Sequence, residues 1–488
     1  MIVTVDQPPN ESFSKSYKFH KPSLDVLECV LRLIGLLLPS NKSASILQRI
    51  RCLPILTLAI LAFLYELLNT VNNNAIQYHL AYGGNYRIAE AVNLAQYPLK
   101  TLTALVILVT FRLKSPVISG IMLDVEHYYS TAQQTERTTF KRMRMTRRIT
   151  GLCLGATVLY LSVMVAFRII RIGNYASAPG VWPLADFPGL KINLMEEQLI
   201  NFFTRNLTEA ARLICSGYLA LMLFKFKMGL VRDCRQSLCL SKRGNPGVFV
   251  TPLHVQRAWD SRELALRLAS EIHAELSSLL AFMLLTDVLS LNATFADFLF
   301  MDDYAVYLRN FASMSIYIAS MTCLAGGLIA LVEKDSKTLE SLLKLQSCIA
   351  HGVTTGHPLK NSVPGTCSVG LTMRLDSRRK WKYLCVPEYL LTDVAGRHEL
   401  LRLLSDFEEN CFGLRMVAPR LPVFCHVRRR TITNVVVLLV SFTCFMLEQY
   451  NRADPESIST YDQGIDNSST SLRNASLAAV FTDAEGVH

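Results

Sequence analysis

The segment "TITNVVVLLVSFTCFMLEQY", residues 431–450, is the last strongly apolar stretch of the chain and follows three consecutive arginines. Asn434, Ser441 and Glu448 interrupt this stretch at intervals of seven residues. Seven residues are nearly two turns of an α-helix, so the three polar side chains share one face. What this polar face contacts depends on the kind of protein that the rest of the chain forms.

The composition indicates a membrane protein. Of the 488 residues, 51% are hydrophobic and only 18% are charged, whereas soluble domains usually carry about 25% charged residues. The formal net charge is +11, which in a membrane protein is typical of basic cytoplasmic loops rather than of nucleic-acid binding. The first 21 residues are polar and lack the apolar core of a secretory signal peptide, so insertion is expected to rely on the first transmembrane helix.

Seven segments have the length and apolar character of membrane-spanning helices, which need about 20 mostly apolar residues. The fold is therefore predicted to be all-α, with seven transmembrane helices. The fourth segment is the weakest because Glu209 and Arg212 lie within it, and the second contains Pro98 and Lys100 near its start. The segments are residues 52–72, 94–112, 149–170, 202–224, 273–291, 308–332 and 431–449.

The distribution of lysine and arginine predicts the orientation of these spans. The stretch before the first span and the loops 113–148 and 225–272 are basic, whereas the three alternate loops carry almost no lysine or arginine. Basic loops stay in the cytoplasm, so the N-terminus is predicted inside and the C-terminus outside. None of the 13 cysteines falls in a predicted outside loop, which fits this orientation and predicts no structural disulfide.

This topology divides the chain into five regions. Residues 1–51 form a cytosolic N-terminus with an amphipathic helix at 24–39, in which Glu28 and Arg32 are spaced as an i,i+4 pair. We expect this helix to lie at the membrane interface or to fold into the bundle, with an ordinary capping helix as the alternative. The other regions are spans one to six (52–332), a cytosolic region (333–430) with a predicted insertion (346–396), the last span (431–449) and a polar, disordered extracellular tail (450–488).

Sequons for N-glycosylation mark three asparagines that fall outside the membrane in this topology. They are followed by Ala-Thr, Ser-Ser and Ala-Ser, which are acceptor patterns. The expected glycosylation sites are Asn292, Asn467 and Asn474.

Several functional classes lack their sequence signatures here. A G-protein-coupled receptor places its N-terminus outside and typically carries Asp/Glu-Arg-Tyr after its third span and Asn-Pro-x-x-Tyr in its seventh; neither motif occurs, so this class is a minor alternative. No hydrolase elbow, Walker loop, dinucleotide fingerprint or HExxH motif is present, which predicts no enzyme activity and no cofactor. The spacing of cysteines and histidines matches no zinc pattern, so no metal site is expected.

The chain resembles the insect-type gustatory receptors, within the arthropod chemoreceptor superfamily. "LDVLECVLRLIGLLLP" is similar to the amphipathic segment that precedes the first span, and "TCLAGGLIALVEKDSKTLESLLKLQ" to a sixth span that continues into a cytosolic helix. "MLFKFKMGLVRDC" resembles the exit from the fourth span, and "HELLRLLSDFEENCFGLRMVAPRLPVF" the connection into the last one. The closing signature of the family, Thr-Tyr, five apolar residues, Gln and an aromatic residue, is half present: Gln449 and Tyr450 match its end, but Phe442 and Thr443 occupy the Thr-Tyr register.

The resemblance implies a taste receptor subunit, which forms a ligand-gated, nonselective cation channel with identical or related subunits as a tetramer. It implies a location in the plasma membrane of chemosensory neurons, and an odorant receptor of the same superfamily is the sibling alternative. The last helix of each subunit would line the pore, with Glu448 in an acidic ring that attracts cations and Leu438 and Phe445 at a hydrophobic constriction. The alternative for Asn434 and Ser441 is bonding to neighbouring helices. The expected pore lining is Asn434, Leu438, Ser441, Phe445, Glu448 and Gln449.

The resemblance also implies a pocket for a small tastant among spans two to six, open to the outside. Aromatic residues with a few polar groups suit such a pocket, although they also suit core packing or an interfacial aromatic belt. Arg168 and Asp287 are the strongest candidates, because charge at membrane depth needs a partner or a role, and they are candidates to pair with each other. The expected ligand-binding residues are Tyr160, Arg168, Phe282, Asp287, Tyr307 and Phe311.

Two cytosolic helices are expected beneath the membrane, around residues 333–347 and 397–410. Leu400, Leu404 and Phe407 recur there at helical spacing, which predicts helices that bury one face. In the family that the chain resembles, such regions form most of the contacts between subunits.

Overall fold

The computed structural model describes a helical bundle with one small sheet. Eleven helices are described: α1 (Val26–Leu33), α2 (Leu53–Leu80), α3 (Ile88–Leu113), α4 (Ser115–Thr131), α5 (Glu136–Tyr175), α6 (Leu194–Asn201), α7 (Leu207–Ser237), α8 (Pro252–Phe300), α9 (Tyr304–Ala350), α10 (Val394–Gly413) and α11 (Arg429–Arg452). A π-helical turn, Phe202–Asn206, joins α6 to α7. The described residues are 26–38, 50–80, 88–131, 136–175, 194–237, 241–242, 252–300, 304–350, 368–374, 381–387, 394–413, 421 and 429–452.

Within these described residues, five helical segments are long and apolar enough to cross a membrane. A sixth span results if α3 and α4, which meet at an angle of 70°, are counted together. These six coincide with the first six predicted segments. Helix α11 covers the seventh predicted segment but is not among the five, so its crossing of the membrane, the total of seven spans and their orientation stay predictions.

The fourth span is the centre of the bundle. It consists of α6, the π-helical turn and α7, and 78% of its most apolar stretch is buried, compared with 22% for the first span. A helix that contacts protein on all sides does not need an apolar surface for lipid. This explains why the sequence signal of the fourth span is weak although the helix is present.

The outer surface of the bundle is apolar, whereas its interior contains charge. Leu61, Leu64 and Leu68 of α2 and Leu152 and Val158 of α5 are exposed. In the interior, Arg212, Glu209 and Asp287 are buried. A soluble protein almost never combines such buried charges with a surface of leucines, whereas membrane-spanning helices turn the few charges that they contain toward the interior of the bundle. The protein is therefore a membrane protein.

Helix α1 folds into the bundle. Leu27 and Leu31 are fully buried, and the predicted pair between Glu28 and Arg32 is present, with 2.5 Å between the carboxylate and the guanidinium group. The helix is shorter than the predicted segment 24–39 because Gly35 has a φ of +77°, which favours glycine. A Cβ atom at this position would lie 2.5 Å from the backbone nitrogen of Cys52.

Two strands of the predicted insertion form a small sheet with a short strand from the loop 225–272, and the all-α prediction did not include this sheet. Strands β1 (Ser241–Lys242), β2 (Ser368–Arg374) and β3 (Trp381–Pro387) pair antiparallel in the order β1-β3-β2. Ser368 pairs with Pro387, and Arg374 with Trp381. The alternation of valine, leucine and methionine with other residues in 369–373 is the period-two pattern of a strand, and it was missed because the segment was interpreted only as an insertion.

Helix α10 packs beneath the bundle against the long helices α8 and α9. Leu400, Leu404 and Phe407 are buried, as their spacing predicted. The ring of Phe407 stacks on that of Trp259 of α8, with 5.6 Å between the ring centroids. Helix α9 runs without a break from the sixth span through the region of the other predicted cytosolic helix.

Candidate functional site

Six ionisable side chains meet inside the bundle at the level of the membrane spans. They come from α2, α3, the π-helical turn, α7 and α8, and their charges balance as three cations against three carboxylates. Charged groups at membrane depth are expensive and are usually paired and functional. The six are Lys100, Arg205, Arg212, Glu66, Glu209 and Asp287; we call them the ion network.

Arg212 is the centre of the ion network and has no exposed surface. Its Nε and Nη2 atoms donate to one carboxylate oxygen of Glu209 at 3.0 and 2.7 Å, and its Nη1 atom donates to Asp287 at 2.8 Å. The hydroxyl of Ser320 donates to the second oxygen of Asp287, also at 2.8 Å. The guanidinium fork thus connects α7 to α8, and Ser320 adds α9.

Tyr317 of α9 connects Lys100 to this centre. The ammonium group of Lys100 donates to the Tyr317 hydroxyl and lies 4.5 Å from the centroid of the Tyr317 ring. The guanidinium carbon of Arg212 lies 5.6 Å from the same ring. Both distances fall within the range of a cation–π interaction, so one aromatic ring stabilises two of the three cations.

The π-helical turn contributes the third ion pair. Arg205 lies in this turn, 2.9 Å from a carboxylate oxygen of Glu66 on α2, and its guanidinium carbon is 5.0 Å from the ring centroid of Tyr97 on α3. Next to it, Asn201 donates to the Tyr65 hydroxyl at 3.0 Å. π-Helical turns inside α-helices occur frequently at functional sites, and this one directs an arginine toward two neighbouring spans.

Two of the predicted ligand-binding residues lie in the interior. Tyr160 packs in a small buried cluster with Met164, Leu213 and Ile316, and Asp287 is part of the ion network. The predicted pairing of Arg168 with Asp287 is wrong, because the cation on Asp287 is Arg212. Arg168 lies at the far end of α5 and donates instead to Gln198 of α6 at 2.5 Å.

Of the other predicted ligand-binding residues, Phe282 and Phe311 face away from the interior that holds these two. The side chains of Phe282 and Phe311 are 40% and 65% exposed on the outer surface of the bundle, and Tyr307 is partly buried. Phe282 precedes Asp287 by five residues and is thus turned about 140° from it around α8. The same geometry that buries Asp287 therefore turns Phe282 outward.

The ion network contains residues that sequence reasoning did not propose as a site. Glu209 and Arg212 were noticed only as an argument against the fourth span, and Lys100 only as a charge near the start of the second. The signal was nevertheless present: Glu209 and Arg212 are three residues apart, which places them on one helix face. The two charges of this pair balance each other, so the spacing does not predict that Arg212 also pairs with Asp287.

Helix α11 presents its polar residues on the surface of the single chain. Five predicted pore residues are exposed, and the side chain of Gln449 lies outside the described residues. Thr431, Val435 and Phe442 are partly buried and share the face toward the bundle, because they are spaced by four and seven residues. The exposed five are Asn434, Leu438, Ser441, Phe445 and Glu448.

The predicted glycosylation sites fall at different places. Asn292 lies within α8, three residues before the end of the candidate span Val255–Phe295. Asn467 and Asn474 lie outside the described residues.

No known protein family and no curated protein matches the sequence. Solved structures do match the fold. The insect olfactory receptor OR5 from Machilis hrabei has a TM-score of 0.55 and 11% sequence identity, over 87% of this chain and 96% of that one. The structure of that receptor in complex with eugenol has a TM-score of 0.54 and 10% identity over the same shares of both chains. The two proteins thus share a fold along nearly all of the receptor's length.

Proposed function

We propose that this chain is a subunit of a ligand-gated cation channel of the insect chemoreceptor superfamily, which acts in the plasma membrane. The observation that carries the proposal is the fold shared with OR5 over 96% of that receptor's chain. OR5 has also been solved in complex with eugenol, a small organic molecule, which supports a small molecule as the ligand of this chain. The sequence resemblance to gustatory receptors is independent of that likeness and agrees with it.

In this proposal, α11 lines a central pore formed by four identical or related subunits. Support comes from the exposure of its polar face: Asn434, Ser441 and Glu448 are exposed on the single chain although the surrounding residues are apolar. In a tetramer, four copies of Glu448 form an acidic ring that attracts cations. Leu438 and Phe445 lie between the polar residues and form the hydrophobic constriction.

Taste reception is the proposed modality, and the second candidate is odorant reception. The short motifs in the sequence favour a gustatory receptor, whereas the fold match to an olfactory receptor favours the alternative. The chemistry of the ligand separates the two, because odorants are volatile and mainly apolar, whereas many tastants are soluble and polar. The predicted inside position of the N-terminus disfavours a G-protein-coupled receptor.

The test is electrical recording from cells that express the full chain alone and together with related subunits. We expect small molecules to evoke a cation current that persists when G-protein signalling is blocked. Glu448→Lys replaces the acidic ring by a basic one and is expected to reduce cation permeation. The matched control is Glu399→Lys, since Glu399 is also exposed but lies on α10.

Two results count against the proposal. Receptor that reaches the cell surface but gives no current with any subunit combination contradicts channel function. Ligand-evoked current with unchanged ion selectivity in Glu448→Lys removes Glu448 from the pore and leaves the channel itself intact.

A further inference from the structure

Three buried amide side chains lie just beyond the ion network, and each has hydrogen-bonding capacity that the described residues do not use. Both amide atoms of Gln96 and the amide nitrogens of Asn206 and Asn310 have no hydrogen-bond partner within the described part of the chain. The three residues are 7%, 2% and 2% exposed, respectively. Asn310 is partly satisfied, because its amide oxygen accepts from Arg309 Nε at 3.0 Å. Buried amide atoms without a partner cost free energy, so four such atoms in one region indicate that something else binds there.

Helical geometry brings Gln96 and Asn310 to the same space. Gln96 precedes Lys100 by four residues on α3, and Asn310 precedes Tyr317 by seven on α9, so each shares a face with a residue of the ion network. Lys100 donates to Tyr317, which brings these two faces together. As the second and sixth spans, α3 and α9 run in the same direction, so both amides lie on the same side of that contact.

Asn206 lies on the same side. It ends the π-helical turn and precedes Leu213 by seven residues on the fourth span, which runs parallel to the second and the sixth. Leu213 packs against Tyr160 and Ile316, so Asn206 faces α5 and α9. Phe202, four residues earlier, packs against the same cluster and adds an aromatic ring beside the amide.

The charges of the ion network already neutralise each other, and Arg309, which lies beside Asn310, donates to the amide oxygen of that residue at 3.0 Å. Glu66 pairs with Arg205, and Arg212 pairs with both Glu209 and Asp287, so the ion network offers no excess charge to a ligand. The unused groups are neutral donors together with one neutral acceptor, the amide oxygen of Gln96. A ligand with net charge would have to break a pair of the ion network to bind there, and an apolar ligand would leave the amide atoms unpaired.

We infer that the three amides form the recognition site of a neutral, polyhydroxylated small molecule such as a sugar or a polyol. A hydroxyl group both donates and accepts, so a molecule with several hydroxyls can satisfy Gln96, Asn206 and Asn310 together. Aromatic residues beside a few convergent polar groups are typical of small-molecule pockets. The inference rests on the proposed function in that it names the class of ligand that opens the channel.

The experiment measures binding and current separately on the full chain. Purified receptor in lipid nanodiscs is titrated with D-glucose, D-fructose, sucrose and myo-inositol, with eugenol and glutamate as apolar and charged comparators. Variants Gln96→Leu and Asn206→Leu are compared with Gln256→Leu, because Gln256 is an exposed amide on α8 that already donates to Asp260 at 3.1 Å. The thermal stability of the ligand-free receptor is recorded for each variant.

We expect at least one of the polyhydroxylated probes to bind, and Gln96→Leu and Asn206→Leu to weaken that binding by roughly 2- to 10-fold each. Because both side chains have unpaired atoms without ligand, the same substitutions leave the stability of the free receptor unchanged or raise it. Gln256→Leu changes neither quantity. An amide with a merely structural role shows the opposite pattern, with lower stability and unchanged affinity.

The outcomes separate this inference from the proposed function. Binding of a polyhydroxylated probe without any current supports the amide site and contradicts the channel. A current evoked by eugenol or glutamate, without binding of the polyhydroxylated probes, supports the channel and overturns the amide site. Binding of a sugar or polyol with unchanged affinity in both leucine variants overturns it as well.

Discussion

Helices α7 and α11 both carry polar residues in an apolar stretch, but those of α7 are buried in the bundle and those of α11 lie on its surface. Glu209 and Arg212 of α7 are buried and paired within one chain. Ser441 and Glu448 of α11 are exposed on the single chain. The ion pairs of α7 are shielded from lipid by the fold itself. Because lipid does not solvate polar groups, an exposed polar face such as that of α11 requires contact with water or with further subunits.

This difference indicates which polar side chains of the bundle stabilise the fold and which act in assembly or conduction. A polar group that finds its partner inside the chain stabilises one arrangement of the helices, and its loss is a loss of folding. For a polar group on an exposed outer face, the loss is expected to change assembly or conduction. The two helices therefore make separate predictions, in which stability and current are affected independently.

The largest effect is expected for Arg212→Met. The variant leaves two buried carboxylates without their cation, and breaking a buried ion pair in this way costs about 3–5 kcal/mol. We expect loss of correctly folded receptor, measured as the monodisperse fraction in detergent and as surface expression. Arg267→Met is the control, because Arg267 pairs with Glu263 on the surface at 2.8 Å and is 72% exposed.

A double variant sharpens this prediction. Arg212→Met and Asp287→Asn together remove one cation and one carboxylate, so the remaining charges of the ion network stay balanced as two against two. Replacing a buried ion pair as a unit is often neutral or stabilising, so folding of the double variant is expected to exceed that of Arg212→Met alone. A double variant that folds worse than the single one shows that the charges themselves, rather than their balance, are required.

A smaller effect is expected for Glu66→Gln. The substitution removes the carboxylate partner of Arg205, and hydrogen bonds to charged groups contribute about 1.5–3 kcal/mol. The side chain of Arg205 is 28% exposed, so solvent compensates part of the loss and the effect lies at the low end of this range. The measurement is the melting temperature of the purified receptor, and a loss as large as that of Arg212→Met contradicts the ranking.

The smallest effect on stability is expected at the start of α11. Arg429 lies 2.6 Å from Glu333 of α9, and its side chain is 81% exposed. Exposed ion pairs contribute about 0.2–1 kcal/mol, so Arg429→Gln should scarcely change the melting temperature. A loss of stability greater than about 1 kcal/mol contradicts this prediction and means that the contact between α9 and α11 stabilises the bundle more than an exposed ion pair does.

The features that could be predicted from the sequence are those that depend on the spacing of residues within one helix. The candidate spans, six if α3 and α4 count as one, coincide with apolar stretches of sufficient length. The Glu28–Arg32 pair and the buried face of α10 follow from the spacing of their residues. Such features depend on near neighbours along the chain, which periodicity reveals.

The parts that the sequence did not predict depend on partners far along the chain. Asp287 pairs with Arg212, 75 residues away, and no local pattern distinguishes this partner from Arg168. In the small sheet, Lys242 pairs with Lys382. These two residues are far apart in the sequence, so no pattern of neighbouring residues predicts their pairing. The unpaired amides appear only after every hydrogen bond around them has been assigned.

The central claim is that the polar face of α11 lines a water-filled pore, and cysteine accessibility tests it most directly. In a background with Cys444→Ser, which removes the exposed natural thiol of this helix, Ser441→Cys is compared with Val440→Cys, turned about 100° away. A positively charged thiol reagent is applied during ligand-evoked current. We predict a lasting block of the current in Ser441→Cys and none in Val440→Cys. Block in Val440→Cys alone, or in neither variant, contradicts the claim.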